Sequence, residues 1–357
     1  MLESGGDTAR RLTRRGVAAM ALGFAVAPIL ARAQPAENFY RGRRMSLIIP
    51  TSPGGINDLA GRLVARHLGA FIPGRPDVMA QNAADGGGLA LANRFAATPD
   101  NDGSTIGIIQ RGIAQLAIQG APGANFDPLK LTWLGSLSDF STDAYMLVVN
   151  ANHPAKNVTD LKRPGIIAKI GADVPGSGNM TFAVLAKEVL GLNLDVVGGY
   201  EGAASMFAAM GKGELDGQVI SLNSIVAAQP ALWQSKAVRP LVQFGRTTRN
   251  PDLGQVPTAR ELLTDKAALE LMEFAEMPLF MALPLLAPAG VPGTRAAVLQ
   301  SAFMAMVKDK AFLDDAKKAA LDVTPVDGRT VRGLIARMAA TPKDVIARYN
   351  KVVAAKT

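Results

Sequence analysis

The chain has 357 residues, a formal net charge of +8 and no cysteine. The length suits a large core and about two domains, while the missing cysteine excludes a disulfide framework and a thiolate metal site and suits an oxidising compartment. The basic residues are scattered and aromatics make up only 5 % of the chain, which argues against a nucleic-acid surface and leaves a mild positive field that attracts anions.

Residues 1–33 read as a removable leader. Arg10, Arg11, Arg14 and Arg15 form a basic head, Gly16 to Leu30 is apolar and small, and Ala31-Arg32-Ala33 fits a small-x-small cleavage site, so that Gln34 opens the mature chain. A membrane anchor is the alternative, but a span needs about 20 apolar residues. Twin arginines occur, yet the residues after them match a twin-arginine signal poorly, and the general secretory route is favoured. No later segment is long and apolar enough to span a bilayer, so the mature protein is expected in the periplasm. The leader holds five Arg against Glu3 and Asp7, leaving about +5 on the mature chain.

From Arg43 onward, short apolar runs alternate with longer helical ones, which predicts an α/β fold with mainly parallel strands. The organising stretch is Ser46 to Asp58: an apolar run, then Pro50, Pro53, Gly54 and Gly55, then a helix over Leu59 to Leu68. Glycines there let backbone N–H groups face outward. The first helical N–H groups lack partners and carry positive dipole, so the corner prefers an anion, most simply a carboxylate. Ser52 and Asn57 are candidate contacts. Asp58, Arg62 and Arg66 share one helix face; the arginines are read as a solvated charge row, and Asp58 as placed to fix the loop by accepting N–H bonds.

Val78 to Asn82 reads as a second strand, and Leu89 to Ala97 as a helix after Asp85-Gly86-Gly87-Gly88. The three glycines lack a nucleotide fingerprint and are read as a turn packing a helix closely. Thr105 to Ile109 is a third strand. It delivers Arg111 at its carboxyl end, where open α/β sheets bind ligands. Arg111 is either a bidentate carboxylate clamp or a surface arginine paired with an acidic neighbour. A strand over Ala144 to Val149 follows. Crossings near residues 147 and 278 divide the mature chain into one lobe of 34–146 with 278–357 and another of 147–277. His153, beside a proline, is expected to be an exposed turn residue, and His67 a packing or helix-end residue. Two distant histidines support neither a metal site nor a Ser-His-Asp triad.

Ile166 to Gly171, the loop Ala172 to Thr181 and the helix after it repeat the opening design. The elbow G-x-S-x-G fails because Pro175 stands where glycine is needed. Gly176, Ser177, Gly178, Asn179 and Thr181 are therefore read as donors around a second helix N-terminus, with ordinary N-capping as the alternative. Leu194 to Val197, Gly217 to Ser221 and Val238 to Phe244 are strands. Tyr200 and Ser221 at the strand ends are further candidates. Helices are expected over Ala203 to Met210, Ala259 to Leu271 and Thr294 to Val307, with Met304 and Met306 as core filling.

Several segments, in order, resemble the tripartite tricarboxylate transporter receptors, the Bug-type solute-binding proteins. They are Ile49-Pro50 with Pro53-Gly54-Gly55 and Asp58, Asp102-Gly103, and Val148-Val149-Asn150 with Pro154 to Val158. Gly176 to Asn179, Asp252-Leu253 with Val256-Pro257-Thr258, and Leu286 to Pro292 complete the set. The resemblance implies a hinged two-domain periplasmic-binding fold that closes on one ligand. It also implies delivery of a carboxylate to a permease of one large and one small subunit, with no cofactor, no catalysis and a monomeric receptor. By that analogy the two Gly-rich loops face each other across a cleft. Gly199-Tyr200-Glu201, Ile220-Ser221 and Arg111 depart from the common family residues at positions that choose the ligand. Two other readings are a sensory subunit for a membrane kinase and a secreted serine hydrolase.

Overall fold

The computed structural model describes residues 39–83, 88–98, 101–173 and 176–354. The expected leader, Asp85-Gly86-Gly87, and Val174-Pro175 of the second loop lie outside the described residues.

The strands are β1 (Arg44–Ile49), β2 (Asp77–Asn82), β3 (Thr105–Ile108), β4 (Thr132–Ser136), β5 (Tyr145–Asn150), β6 (Ala168–Gly171), β7 (Leu194–Val197), β8 (Gly217–Ser221), β9 (Val238–Phe244), β10 (Pro284–Ala287) and β11 (Val326–Asp327). The helices are α1 (Ile56–Leu68), α2 (Leu89–Ala97), α3 (Ile113–Ile118), α4 (Gly178–Glu188), α5 (Ala203–Gly211), α6 (Leu222–Ala228), α7 (Pro230–Gln234), α8 (Lys266–Glu276), α9 (Gly293–Met306), α10 (Lys310–Lys318), α11 (Gly328–Ala339) and α12 (Lys343–Ala354).

They form two sheets. The first has six strands in the order β11-β4-β10-β3-β1-β2, the second five in the order β7-β6-β8-β5-β9. The expectation of mainly parallel strands needs correction. Within each sheet a βαβ core is parallel: β1 pairs with β2 and β3, and β6 with β7 and β8. The strands added around those cores, β10 and β11 on the first sheet and β5 with β9 on the second, pair antiparallel. β5 and β10 are where the chain passes from one sheet to the other, and each enters against the direction set by the helix crossovers.

The parallel register brings the carboxyl ends of β1 and β3 to one edge, since Ser46 pairs with Thr105 and Ile48 with Gly107. α1 lays Leu63, Val64 and Leu68 onto β1, where Met45, Leu47 and Ile49 are buried. Leu59 and Ile56 do not join that stripe; they are 41 % and 54 % exposed in the first helical turn. A second core joins both sheets, running from Ile48, Leu91 and Trp133 to Phe182, Phe244 and Tyr349. Gly88 permits part of this packing. It takes φ +111°, and a β-carbon there would stand 2.6 Å from Ile109, so the close helix packing expected of the glycine run holds at this residue.

His153 is not exposed. It is buried, its Nδ1 accepting the Ala155 amide at 3.2 Å and its Nε2 facing the Ile167 carbonyl at 3.1 Å. Nδ1 accepts, so Nε2 carries the proton and donates. The proline turn is folded back over the ring, which holds two strand-flanking segments together. His67 meets Asp315 at 3.1 Å and the edge of Phe312 at α10. The segment around Asn157 forms a capping box, Asn157 accepting the Thr159 and Asp160 amides while Asp160 accepts the Asn157 amide.

Candidate functional site

The first corner is held by a buried acid. Asp58 Oδ2 accepts the Gly54 amide at 2.9 Å, and Oδ1 accepts Asn82 Nδ2 at 2.7 Å and Arg62 Nε at 3.0 Å. Asn82 Nδ2 also reaches the Thr51 carbonyl at 2.9 Å, tying the end of β2 to the loop. Burial pushes the Asp58 carboxyl upward, but the Gly54, Asn82 and Arg62 hydrogen bonds outweigh it and hold the pKa below the ordinary carboxylate value. Asp58 thus fixes the loop, and the Gly54 N–H is already satisfied. Gly54 takes φ +95°, which the turn requires. α1 begins at Gly55 with no side-chain cap, and its first intrahelical bond runs from Leu59 to Gly55. Uncapped first-turn amides of this kind attract an anion. Ser52 is exposed, and Asn57 is 6 % exposed.

The second corner carries its own internal network. Ser177 Oγ caps α4 by accepting the Met180 amide at 3.4 Å. Asn179 Oδ1 accepts that amide at 2.7 Å, the Ser177 hydroxyl at 2.6 Å and the Asp173 amide at 3.3 Å. The capping alternative therefore describes Ser177 and Asn179. Thr181 lies near Tyr349 on α12, whose hydroxyl burial pushes up to about 12 with Thr181 opposing. Gly176 is exposed. Tyr200 lies beside this corner, its amide bonded to the Ala172 carbonyl at 3.2 Å. Ser221 is buried and caps α6, accepting the Ser224 amide at 3.1 Å.

Arg111 reaches the second corner from the end of the first sheet. A β-carbon at Gly178 would stand 3.2 Å from Arg111 Nη2 and 3.4 Å from the Tyr145 hydroxyl, so the arginine after β3 reaches the first residue of α4. Its guanidinium also lies 5.6 Å from the centre of the Phe140 ring. Among the described residues, no carboxylate lies within ion-pair distance of Arg111. Burial pushes the Tyr145 hydroxyl up to about 12, with Arg111 opposing and Asp173 and Asp143 adding. Phe140 and Tyr145 escaped the sequence reading because only folding brings them to Arg111 and Gly178.

The remaining surroundings are defined as well. Asp143 accepts the Ala144 amide at 2.8 Å and the Asn223 amide at 3.0 Å. Burial raises its pKa, the Asn223, Ala144 and Ser221 hydrogen bonds oppose this, and Asp322 adds to it. Neither histidine is a hydrogen-bond partner of Ser177 or Ser221 among the described residues. No group of three or more His, Asp or Glu there is placed to hold a metal ion, and no helix there is long and apolar enough to cross a membrane. A cavity of about 690 Å³ lies elsewhere, lined by Lys130, Trp133, Gln300, Arg329 and Arg332 near the start of β4. None of the expected ligand contacts lines it.

Two sheets, each with a parallel βαβ core whose Gly-rich loop opens a helix, give the two-domain α/β fold of periplasmic binding proteins. The fold matches a TctC solute-binding protein from Polaromonas with a TM-score of 0.67 at 17 % identity, covering 87 % of this chain and 99 % of that one. A family model described as the tripartite tricarboxylate transporter family receptor matches residues 62–351, and the chain belongs to that family. It resembles a UPF0065 protein of Bordetella pertussis, 25 % identical over 295 residues, 81 % of this chain and 84 % of that protein. A Rhodopseudomonas palustris protein solved with adipate matches with a TM-score of 0.54 at 21 % identity, over 88 % of this chain and 98 % of that one.

Proposed function

We propose that the protein is a periplasmic receptor that takes a small carboxylate into the crevice between its sheets and passes it to a tripartite tricarboxylate-type transporter. The observation that carries this is Arg111. It is a guanidinium without a carboxylate partner among the described residues, set against the N-terminus of α4 and sharing an edge with the uncapped N-terminus of α1. An adipate-bound member of the same fold supports the ligand class. In this reading Gly55, Gly178 and Arg111 face the ligand, with Ser52, Asn57, Gly176, Tyr200 and Ser221 around them. Gly54, Asp58, Ser177 and Asn179 hold the corners in shape.

The lobes close about one crossing just ahead of Tyr145, a little before the expected boundary at 147, and another near residue 278. β5 starts at Tyr145 and belongs wholly to the second sheet, so the first crossing falls just ahead of it. The leader directs export, and a permease of one large and one small subunit receives the ligand from the monomeric, non-catalytic receptor.

Calorimetric titration with mono-, di-, tri- and aromatic carboxylates tests the reading. At least one binds, and Arg111→Gln weakens it about 10- to 100-fold, the worth of one charged hydrogen bond. Silence from every acid class overturns the reading. Loss of uptake of the bound acid on gene deletion supports transport; unchanged uptake with a lost transcriptional response favours the sensory role.

A further inference from the structure

The second corner holds a group that a bare carboxylate leaves unanswered. Asp173 stands two residues past the end of β6. Its amide donates to Asn179 Oδ1 at 3.3 Å, and its carbonyl accepts the Gly199 amide at 3.0 Å, so its backbone is fixed on both sides. Its Oδ1 is buried and has no hydrogen-bond partner among the described residues. Arg111 Nη2 and the Tyr145 hydroxyl both flank Gly178, whose neighbour Asn179 holds the Asp173 amide, and the Asp173 carboxylate and Arg111 guanidinium act on that hydroxyl with opposite sign. No ion pair joins the two among the described residues. At the first corner Asn57 Oδ1 is likewise buried without a partner, on a residue 6 % exposed.

A carboxylate oxygen can only accept, and a buried acceptor without a donor is costly. A simple carboxylate guest brings acceptors alone. It is drawn to Arg111 and the helix N-termini, repelled by Asp173, and offers nothing to either orphaned oxygen. A guest with an O–H or N–H beside its carboxylate answers both halves of the site. Resting on the carboxylate reading above, we propose that the crevice selects carboxylates bearing an adjacent hydroxyl or amino donor, with Asp173 as the specificity-determining residue and Asn57 as a second acceptor.

Three matched sets test this by calorimetry: propionate, lactate and alanine; succinate, malate and aspartate; phenylacetate, mandelate and phenylglycine. Within a set that binds, a donor-bearing acid outranks its parent by tenfold or more. Asp173→Ala cuts that preference below threefold, with circular dichroism confirming the fold. Asp173→Asn keeps an acceptor without the charge, so it retains preference for the hydroxy acid and loses it for the amino acid. Parent acids that bind as tightly as their donor-bearing partners, or a preference unchanged in Asp173→Ala, overturn the inference and leave carboxylate capture standing. No heat from any of the nine acids, nor from citrate and its parent tricarballylate, overturns both.

Discussion

Asn223 Nδ2 donates to Asp322 Oδ2 across 3.1 Å, joining the first turn of α6 on the second sheet to the segment that leads into β11 on the first. Thr142 Oγ1 reaches the same carboxylate oxygen at 3.4 Å. Both residues are exposed, and the tie bridges the two sheets beside the start of β5, where the Asn223 amide also donates to Asp143. Asn223→Ala should lower stability by only about 0.5–1.5 kcal/mol, the net worth of one hydrogen bond. Small-angle scattering should nevertheless show a larger radius of gyration without ligand, restored on ligand addition.

Gly178 is the position where an added atom is felt by the site before it is felt by the fold. An alanine there extends α4 with a better helix former, so melting should shift by no more than about 1 kcal/mol equivalent. Its methyl would meet Arg111 Nη2 at 3.2 Å and displace the guanidinium by a few tenths of an ångström. Calorimetry should show carboxylate affinity falling in Gly178→Ala while thermal unfolding stays near that of the parent protein.

Glu276 is fully buried. It accepts the Gly245 amide at 2.9 Å and Arg260 Nε at 2.6 Å, and burial raises its pKa against the pull of Arg260. Glu276→Ala leaves the Gly245 amide without its acceptor, while Arg260 keeps Glu273 at 3.2 Å, so it should cost about 1–3 kcal/mol in chemical denaturation. The exposed pair Arg249 with Glu261, at 2.6 Å, provides the contrast. Arg249→Gln should leave the denaturation midpoint close to that of the parent.

Asp143 and Asp58 should give opposite pH signatures. Burial raises the folded pKa of Asp143, so its contribution to stability is full below the unfolded value, about 3.9, and is lost as pH rises through the folded value. Asp143→Asn should therefore gain on the parent protein as pH climbs from about 3.5 to 7. At Asp58 burial pulls upward, yet the Gly54, Asn82 and Arg62 bonds leave the folded pKa depressed. Its contribution is present above the unfolded value and lost as pH falls through the folded one, so Asp58→Asn should cost most near neutrality. Denaturation midpoints of the three proteins across that range check both slopes.

The fold was legible where local pattern and tertiary need coincide. β1 with α1, and β6 with α4, announce themselves by an apolar run, a Gly/Pro loop and a helical repeat. β4 was missed because Thr132–Ser136 is short, contains Gly135 and alternates poorly; its pairing with β10 and β11, remote in sequence, is what makes it a strand. The helix expected over Ala259 to Leu271 instead runs Lys266–Glu276, with Asp265 accepting the Ala268 amide at 2.8 Å. The capping aspartate, not the stretch before it, sets that boundary. At the site, the corners were visible from their glycines, and Asp58 from its place in the first turn. Which atoms remain free was not, since Gly54 is satisfied by an acid four residues on and the Met180 amide by both Ser177 and Asn179. Tyr145 and Phe140 lie in segments whose approach to Arg111 depends on how the two sheets pack.

α12 packs against α4 and α8, with Tyr349 edge-on to Phe274 at 5.2 Å and its hydroxyl influenced by Thr181 in the first turn of α4. α12 is thus the backing of the second corner, and a substitution that loosens it would unsettle that loop from behind without touching a residue of the loop itself.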